Sequence, residues 1–227
     1  MGLRSPAEFK EGLRDGREVY YRGERVEDVV SHHDLGIGVD HVALDFAMAE
    51  DPAHRDLMTW QDPHLGEAIS RYFKIPSDAE DLLKRREMIE LSTRLGGGVV
   101  LLIKEIGSDA LFALDLVSFL VDKELGTQYR SRVQAFIEAC KQKDLSIAVA
   151  QTDVKGDRSL LPSQQEHPDY YVHIVEERPD GIVVRGAKAH TTCAPYVDEL
   201  VVLPTRAFKK DDAAYAVSFV IPVNAPG

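Results

Sequence analysis

Cysteine is scarce: Cys140 and Cys193 are the only two in 227 residues. Two cannot build the disulfide framework on which small secreted domains rely. No apolar run approaches the roughly 18 residues needed to cross a bilayer. The N-terminus, Met1-Gly2-Leu3-Arg4-Ser5-Pro6, lacks a signal-peptide core and leads into an amphipathic helix. Basic charge is also short. A formal net charge of −11 excludes the basic face of a nucleic-acid-binding surface. Internal repeats, low-complexity segments and a disordered linker are all missing. These absences predict a soluble, cytoplasmic protein with neither nucleic acid nor membrane as partner. Its 44% hydrophobic content is ordinary for a globular chain, of one large domain or two small ones.

The histidines His32, His33, His41, His54 and His64 show no metal-ligand spacing. They read as surface or helix-cap residues, so no metal site is expected.

Hydrophobic periodicity divides the chain near residue 146. Residues 1–145 read as a helical N-terminal domain. Ser5-Pro6-Ala7-Glu8 is a capping box with proline at the first helical position, predicting a helix to about Gly16. Glu18 to Val26 predicts a hairpin turning at Arg22-Gly23. A helix is expected over Asp40–Ala49, and Ser77-Asp78-Ala79-Glu80 is a second capping box opening a helix towards Gly96-Gly97-Gly98. Val99 to Ile106 is apolar enough to be buried on every side. Ser108 or Asp109 then starts a helix to Gly126, and another runs from Thr127 to about Lys143. Cys140 lies on the apolar stripe of that last helix and reads as a small core residue.

After residue 146, short runs rich in β-branched residues and tyrosine predict strands: Ile147–Ala150, Tyr170–Val175, Ile182–Arg185, Glu199–Leu203 and Tyr215–Ile221. Arg178-Pro179-Asp180-Gly181 is a turn signal. Residues 146–227 therefore read as an antiparallel β domain, a partial barrel or sandwich, giving an α+β chain.

Where helices give way to strands, Gln151 to Arg158 and Arg185 to Thr192 gather Asp153, Lys155, Asp157, Arg158, Lys188 and His190 beside small residues. Lysine and arginine can meet phosphates while hydroxyls and backbone amides meet ring edges, which suits a large planar anion. The plainer alternative makes Asp153 and Asp157 turn caps and His190 a strand-end residue facing water.

These segments, with Pro162-Ser163-Gln164-Gln165 between them, resemble the 4-hydroxyphenylacetate 3-monooxygenase and 4-hydroxybutyryl-CoA dehydratase family. The likeness continues through Asp51-Pro52, Gly107-Ser108-Asp109-Ala110, Gly126-Thr127, Gly181 to Gly186 and Tyr215 to Phe219. It implies an acyl-CoA-dehydrogenase-like architecture: a helical domain, a β domain (incomplete here) and a C-terminal helical bundle absent from this sequence. It further implies FAD bound between β domain and bundle, a tetrameric homo-oligomer, and a small aromatic or acyl-CoA substrate. The C-terminal helical region or a partner chain, and a flavin reductase, are the expected partners. By this resemblance Gln151, Thr152, Asp153, Lys155, Asp157 and Arg158 form the first flavin loop. His190, Thr191 and Thr192 form the second, with Thr192 at the isoalloxazine and His190 as catalytic proton shuttle.

Departures from the family pattern fall in one place. Leu101 and Glu105 stand where the dehydratases carry two cysteines for a [4Fe–4S] cluster, and neither is a thiolate. Ile106, Ala110 and Val149 stand where the hydroxylases carry arginine, tyrosine and histidine for their substrate. Three readings follow: a flavin monooxygenase hydroxylating an aromatic compound, a CoA-thioester dehydratase or isomerase without the cluster, or a non-catalytic flavoprotein subunit.

Overall fold

The structure, a computed structural model, describes residues 2–101 and 103–226. Helix α1 (Pro6–Gly12) begins at the expected capping box. The Ser5 hydroxyl accepts from the Glu8 amide at 3.1 Å, and the Glu8 carboxylate accepts from the Ser5 amide at 2.8 Å. Those Ser5 bonds hold the Glu8 carboxyl below its ordinary value. The helix stops at Gly12, short of Gly16. Strands β1 (Val19–Tyr21) and β2 (Glu24–Val26) pair across Arg22 and Gly23, both at positive φ, as the turn signal requires.

Helix α2 (Leu35–Glu50) starts five residues before the predicted Asp40 and buries Val39, Val42, Phe46 and Ala49. Phe9 stacks on Phe46 with centroids 4.5 Å apart, joining α1 to α2. A short helix α3 (Arg55–Met58) leads into an unpredicted hairpin, β3 (Thr59–Asp62) and β4 (Glu67–Ser70). Its sequence, with Trp60-Gln61-Asp62, shows no β-branched run to betray it. Helix α4 (Ala79–Leu95) is capped by Asp78, whose carboxylate accepts from the Asp81 amide at 2.9 Å. Ser77, the expected cap, instead donates its amide and hydroxyl to the Asp81 carboxylate.

The run 99–106 is not buried throughout. Leu101 and Ile103 are enclosed, but Val99, Val100 and Ile106 are exposed, and Leu102 lies outside the described residues. Helix α5 (Glu105–Leu125) takes over its last two residues, three earlier than Ser108. It ends at Gly126 in the left-handed conformation and turns into α6 (Tyr129–Lys143). The free amides at the start of α6 are met from the preceding helix. Asp122 accepts from the amides of Tyr129 at 2.8 Å and Arg130 at 2.9 Å, and its carboxyl is lowered despite an opposing burial effect. Cys140 is fully buried, as its stripe predicts, and burial together with the nearby Glu199 and Asp198 carboxylates pushes its thiol up.

The second half corrects the antiparallel expectation. Strand β5 (Ile147–Ala150) pairs parallel with β8 (Glu199–Val202), and β8 pairs antiparallel with β9 (Phe219–Pro222). A parallel pair needs a long crossover, and residues 151–198 supply it. Strand runs alone do not reveal which ends meet. The crossover carries its own antiparallel hairpin, β6 (His173–Arg178) with β7 (Gly181–Arg185). No closed barrel forms among the described residues. Tyr170–Val175 becomes a strand only from His173, and Lys210–Tyr215 coils into 3₁₀ turns before β9. Two apolar clusters draw on both sides of residue 146: one joins Phe9, Phe46 and Met88 to Ala148 and Val197, the other Phe73, Leu111 and Cys140 to Ile147 and Val201.

Candidate functional site

Because β5 and β8 run parallel, the chain leaves β5 at Ala150 beside the point where β8 ends at Val202. Lys188 sits over these two ends. Its ammonium donates to the carbonyl oxygens of Gln151 at 3.1 Å and Leu203 at 2.8 Å, and pairs with the Asp153 carboxylate at 2.7 Å. Both side chains of that pair are largely buried, so the bond is little screened. Asp153 also accepts from the Val172 amide at 3.1 Å, and Ala189 donates to the Thr152 carbonyl at 2.8 Å. The two loops singled out in the sequence are thus brought together as one clamped unit, with Asp153 and Lys188 forming a single antiparallel bridge.

The first loop is shaped by groups that sequence reasoning had not placed. Gln165 is buried and grips the Asp157 backbone, accepting from its amide at 3.0 Å and donating to its carbonyl at 2.7 Å. Lys155 and Gly156 both take positive φ, at 77° and 54°. A Cβ on Gly156 would fall 2.4 Å from Gln165 Oε1 and 2.6 Å from the Tyr170 ring, so glycine is required there. Gln165 could have been suspected from Pro162-Ser163-Gln164-Gln165, but its role depends on a fold-back of eight residues that no local pattern encodes. Asp157 accepts from the hydroxyl and amide of Ser159, which hold its carboxyl below the ordinary value. Its side chain therefore does cap a turn.

What remains is a set of unengaged donors. Among the described residues, the side chains of Lys155, Arg158, His190, Thr191 and Thr192 make no hydrogen bond or ion pair, and neither do those of Gln151 and Thr152. Arg158, Gln151, His190 and Thr192 are exposed. His190 stands at φ 56°, in the left-handed conformation. The inward-facing groups of the site, Asp153 and Lys188, thus hold its shape, while the outward-facing groups offer cations and hydroxyls. A planar anion fits this division of labour: the free cations can meet phosphates and the free hydroxyls can meet ring edges. A surface hollow of about 570 Å³ lies elsewhere, lined by Tyr21, Arg25, Asp28 and His32 among others, and contains none of these residues.

The second region, at the start of α5, is more mixed. Leu101 is buried, Glu105 is half-buried at the helix start, Ile106 is exposed, and Ala110 and Val149 pack against the cluster around Leu111. Burial raises the Glu105 carboxyl, Arg85 lowers it and Asp109 raises it further. Among the described residues, no group of three or more His, Cys, Asp or Glu could hold a metal ion, and no helix is long and apolar enough to cross a membrane.

An α-helical half, a mixed sheet and two clamped loops at parallel strand ends together define a class of chain seen before. Residues 5–227 match the family described as 4-hydroxyphenylacetate 3-hydroxylase N terminal, and the chain belongs to that family. It is 36% identical to 4-hydroxybutyryl-CoA dehydratase/vinylacetyl-CoA-Δ-isomerase of Clostridium aminobutyricum, over 99% of this chain and 46% of that protein. It is 27% identical to the 4-hydroxyphenylacetate 3-monooxygenase oxygenase component of Thermus thermophilus, over 99% and 45% respectively. Among solved structures, an oxygen-tolerant archaeal 4-hydroxybutyryl-CoA dehydratase from N. maritimus superposes with TM-score 0.92 at 31% identity, covering 99% of this chain and 44% of that one. The oxygenase component HpaB, complexed with FAD and 4-hydroxyphenylacetate, superposes with TM-score 0.84 at 26% identity, covering 99% and 46%. The chain spans about half the length of these relatives.

Proposed function

We propose that this chain is the N-terminal, flavin-binding portion of an acyl-CoA-dehydrogenase-like flavoprotein. Its reaction is the hydroxylation of an aromatic compound with reduced flavin and dioxygen. The observation that carries this reading is the clamped loop pair, whose buried Asp153–Lys188 ion pair leaves the side chains of Arg158, Lys155 and Thr192 without protein partners among the described residues. A relative with the same fold is complexed with FAD and 4-hydroxyphenylacetate.

Arg158 and Lys155 would take the flavin's phosphates, Arg158 through its planar donor fork. Gln151, Thr152 and the backbone around Asp153 and Asp157 would meet the cofactor's edges. Thr191 and Thr192 would offer hydroxyls to the isoalloxazine, where a donor tunes the ring's electronics. His190 would hold or release a proton at its exposed ring. Reduced flavin, when bound, would supply the two electrons that activate dioxygen. The remaining wall of the pocket, a flavin reductase to deliver reduced flavin, and a homo-oligomeric assembly complete the proposal; several relatives carry the words "oxygenase component" in their names.

A second reading rests on a specific observation: identity and superposition are both higher for the dehydratases than for the oxygenases. Against cluster-dependent dehydration stand Leu101 and Glu105, which offer no thiolate. Anaerobic purification of the natural gene product separates the two readings. Flavin absorbance without iron or acid-labile sulfide, with substrate-stimulated consumption of dioxygen, is expected. Stoichiometric iron and sulfide with dehydration of a hydroxyacyl-CoA would overturn the monooxygenase reading.

A further inference from the structure

The 3₁₀ turns Lys210–Tyr215, just before β9, support the segment that shapes the first loop. Asp212 is 1% exposed, and its carboxylate accepts from the Ser163 amide at 3.0 Å. Three residues on, the Tyr215 ring packs beside His173 with centroids 4.9 Å apart, and edge-on to Tyr171 at 6.4 Å. Segment 163–173 is therefore backed at both ends by the same turns.

That segment in turn holds the loop. At its first end, the Gln165 amide group grips the Asp157 backbone, accepting at 3.0 Å and donating at 2.7 Å. At its other end, the Tyr170 carbonyl accepts from the Lys155 amide at 3.3 Å, and the Val172 amide donates to Asp153 at 3.1 Å. The backbone between Ser163 and Gln165 has little freedom. Pro162 opens a 3₁₀ turn, and the amides of Gln164 and Gln165 donate back to the Leu161 and Pro162 carbonyls at 3.0 and 3.3 Å. A displacement of Ser163 is thus carried to Gln165, and through Gln165 to Asp157, the residue before Arg158. Among the described residues Asp212 has no cation partner, and its Oδ2 is buried without a hydrogen bond. A buried carboxylate with no cation stabilises a fold poorly, so its bond to Ser163 is the contact that gives this side chain a role.

We infer that Asp212 is a positioning residue for the flavin-phosphate loop, acting through Ser163 and Gln165 on the backbone that carries Arg158. The inference rests on the flavin reading and extends it to a residue outside both loops. Asp212 sets the point from which the Arg158 guanidinium reaches a phosphate.

FAD titration of the natural gene product in a double-mutant cycle tests the inference, with hydrogen exchange on the same proteins. Asp212→Ala should weaken FAD binding about 3- to 10-fold, the worth of one ordinary hydrogen bond. In an Arg158→Ala background the same change should weaken it no further, because no guanidinium is left to place. Asp212→Asn, which keeps an oxygen acceptor for Ser163, should restore most of the affinity. Exchange at the Ser163 and Asp157 amides should quicken in Asp212→Ala, while the Ala189 amide of the second loop stays unchanged. An equal loss of affinity in both backgrounds would overturn the inference, since general loosening acts whether or not Arg158 is present. So would an Asp157 amide that exchanges at the wild-type rate in Asp212→Ala, or an Asp212→Asn no better than Asp212→Ala. If Arg158→Ala itself binds FAD as the wild type does, the flavin reading falls and the inference falls with it. If Arg158→Ala weakens binding and Asp212→Ala does not, the inference alone fails.

Discussion

Arg4 ties the start of the chain to two positions far along it. Its guanidinium donates to both oxygens of Asp198, at 3.1 and 2.6 Å, and to the Asp144 carbonyl at 3.0 and 2.7 Å, while its face lies 5.1 Å from the centroid of the Phe46 ring. Ser146 adds its amide and hydroxyl to Asp198, each at 2.7 Å. Removing one partner of a largely buried ion pair leaves the other charge uncompensated, so Arg4→Ala should lower stability by about 3 kcal/mol in urea denaturation. Arg4→Lys should recover only part, because an ammonium cannot reproduce the planar fork. The same network sets an acid limit. Burial pushes the Asp198 carboxyl up, but Arg4 and the Ser146 hydrogen bonds outweigh it and hold the group below its ordinary value. A depressed carboxyl contributes stability above its unfolded pKa and loses it as pH falls through the folded one. Unfolding midpoints of the wild type should therefore drop more steeply below about pH 4 than those of Asp198→Asn, which has no carboxyl to protonate. Equal slopes would show that Asp198 does not contribute. Nothing local marks Arg4 for this role, since its partners stand 140 and 194 positions away. Cys140, by contrast, was legible because its own helix periodicity placed it.

At the scale of elements, periodicity identified helices and strands wherever one element sufficed to define itself: α2, α4, α5, α6 and the β1–β2 turn. It failed where pairing decides. The hairpin β3–β4 has little intrinsic β character, and its pairing places Ile69 in the core beside Phe73 of the following 3₁₀ turn. The parallel junction of β5 with β8 depends on a crossover that no alternation pattern describes. Gly107 is the point where α5 meets β5: a Cβ there would lie 2.5 Å from the Ile147 Cβ and 2.8 Å from its carbonyl oxygen. Gly107→Ala should destabilise by about 1–3 kcal/mol despite alanine's higher helix propensity, because a backbone atom cannot yield. A neutral or stabilising result in thermal denaturation would contradict the packing. The loop clamp makes a separate prediction. Lys188→Met should speed hydrogen exchange at the Ala189 and Val172 amides, which bond to Thr152 and Asp153, while the Asp51 amide at the end of α2 should not change. Uniform acceleration everywhere would indicate global destabilisation instead.

For the whole molecule, the family and the position of the two loops were readable from residues 151–158 and 185–192, because many short segments agree in order. The division of roles within those loops was not. Asp153 looked like a ligand-facing carboxylate, yet its side chain points inward onto Lys188, and only the fold shows that Arg158, Lys155 and Thr192 are left free. The central claim is that these free groups hold a flavin, and FAD titration of the natural gene product tests it most directly. Arg158→Ala should weaken FAD binding about 10- to 100-fold, the worth of one charge-assisted hydrogen bond. Thr192→Ala should weaken it less while shifting the bound flavin's reduction potential. Unchanged affinity in Arg158→Ala together with an unchanged potential in Thr192→Ala would contradict the account.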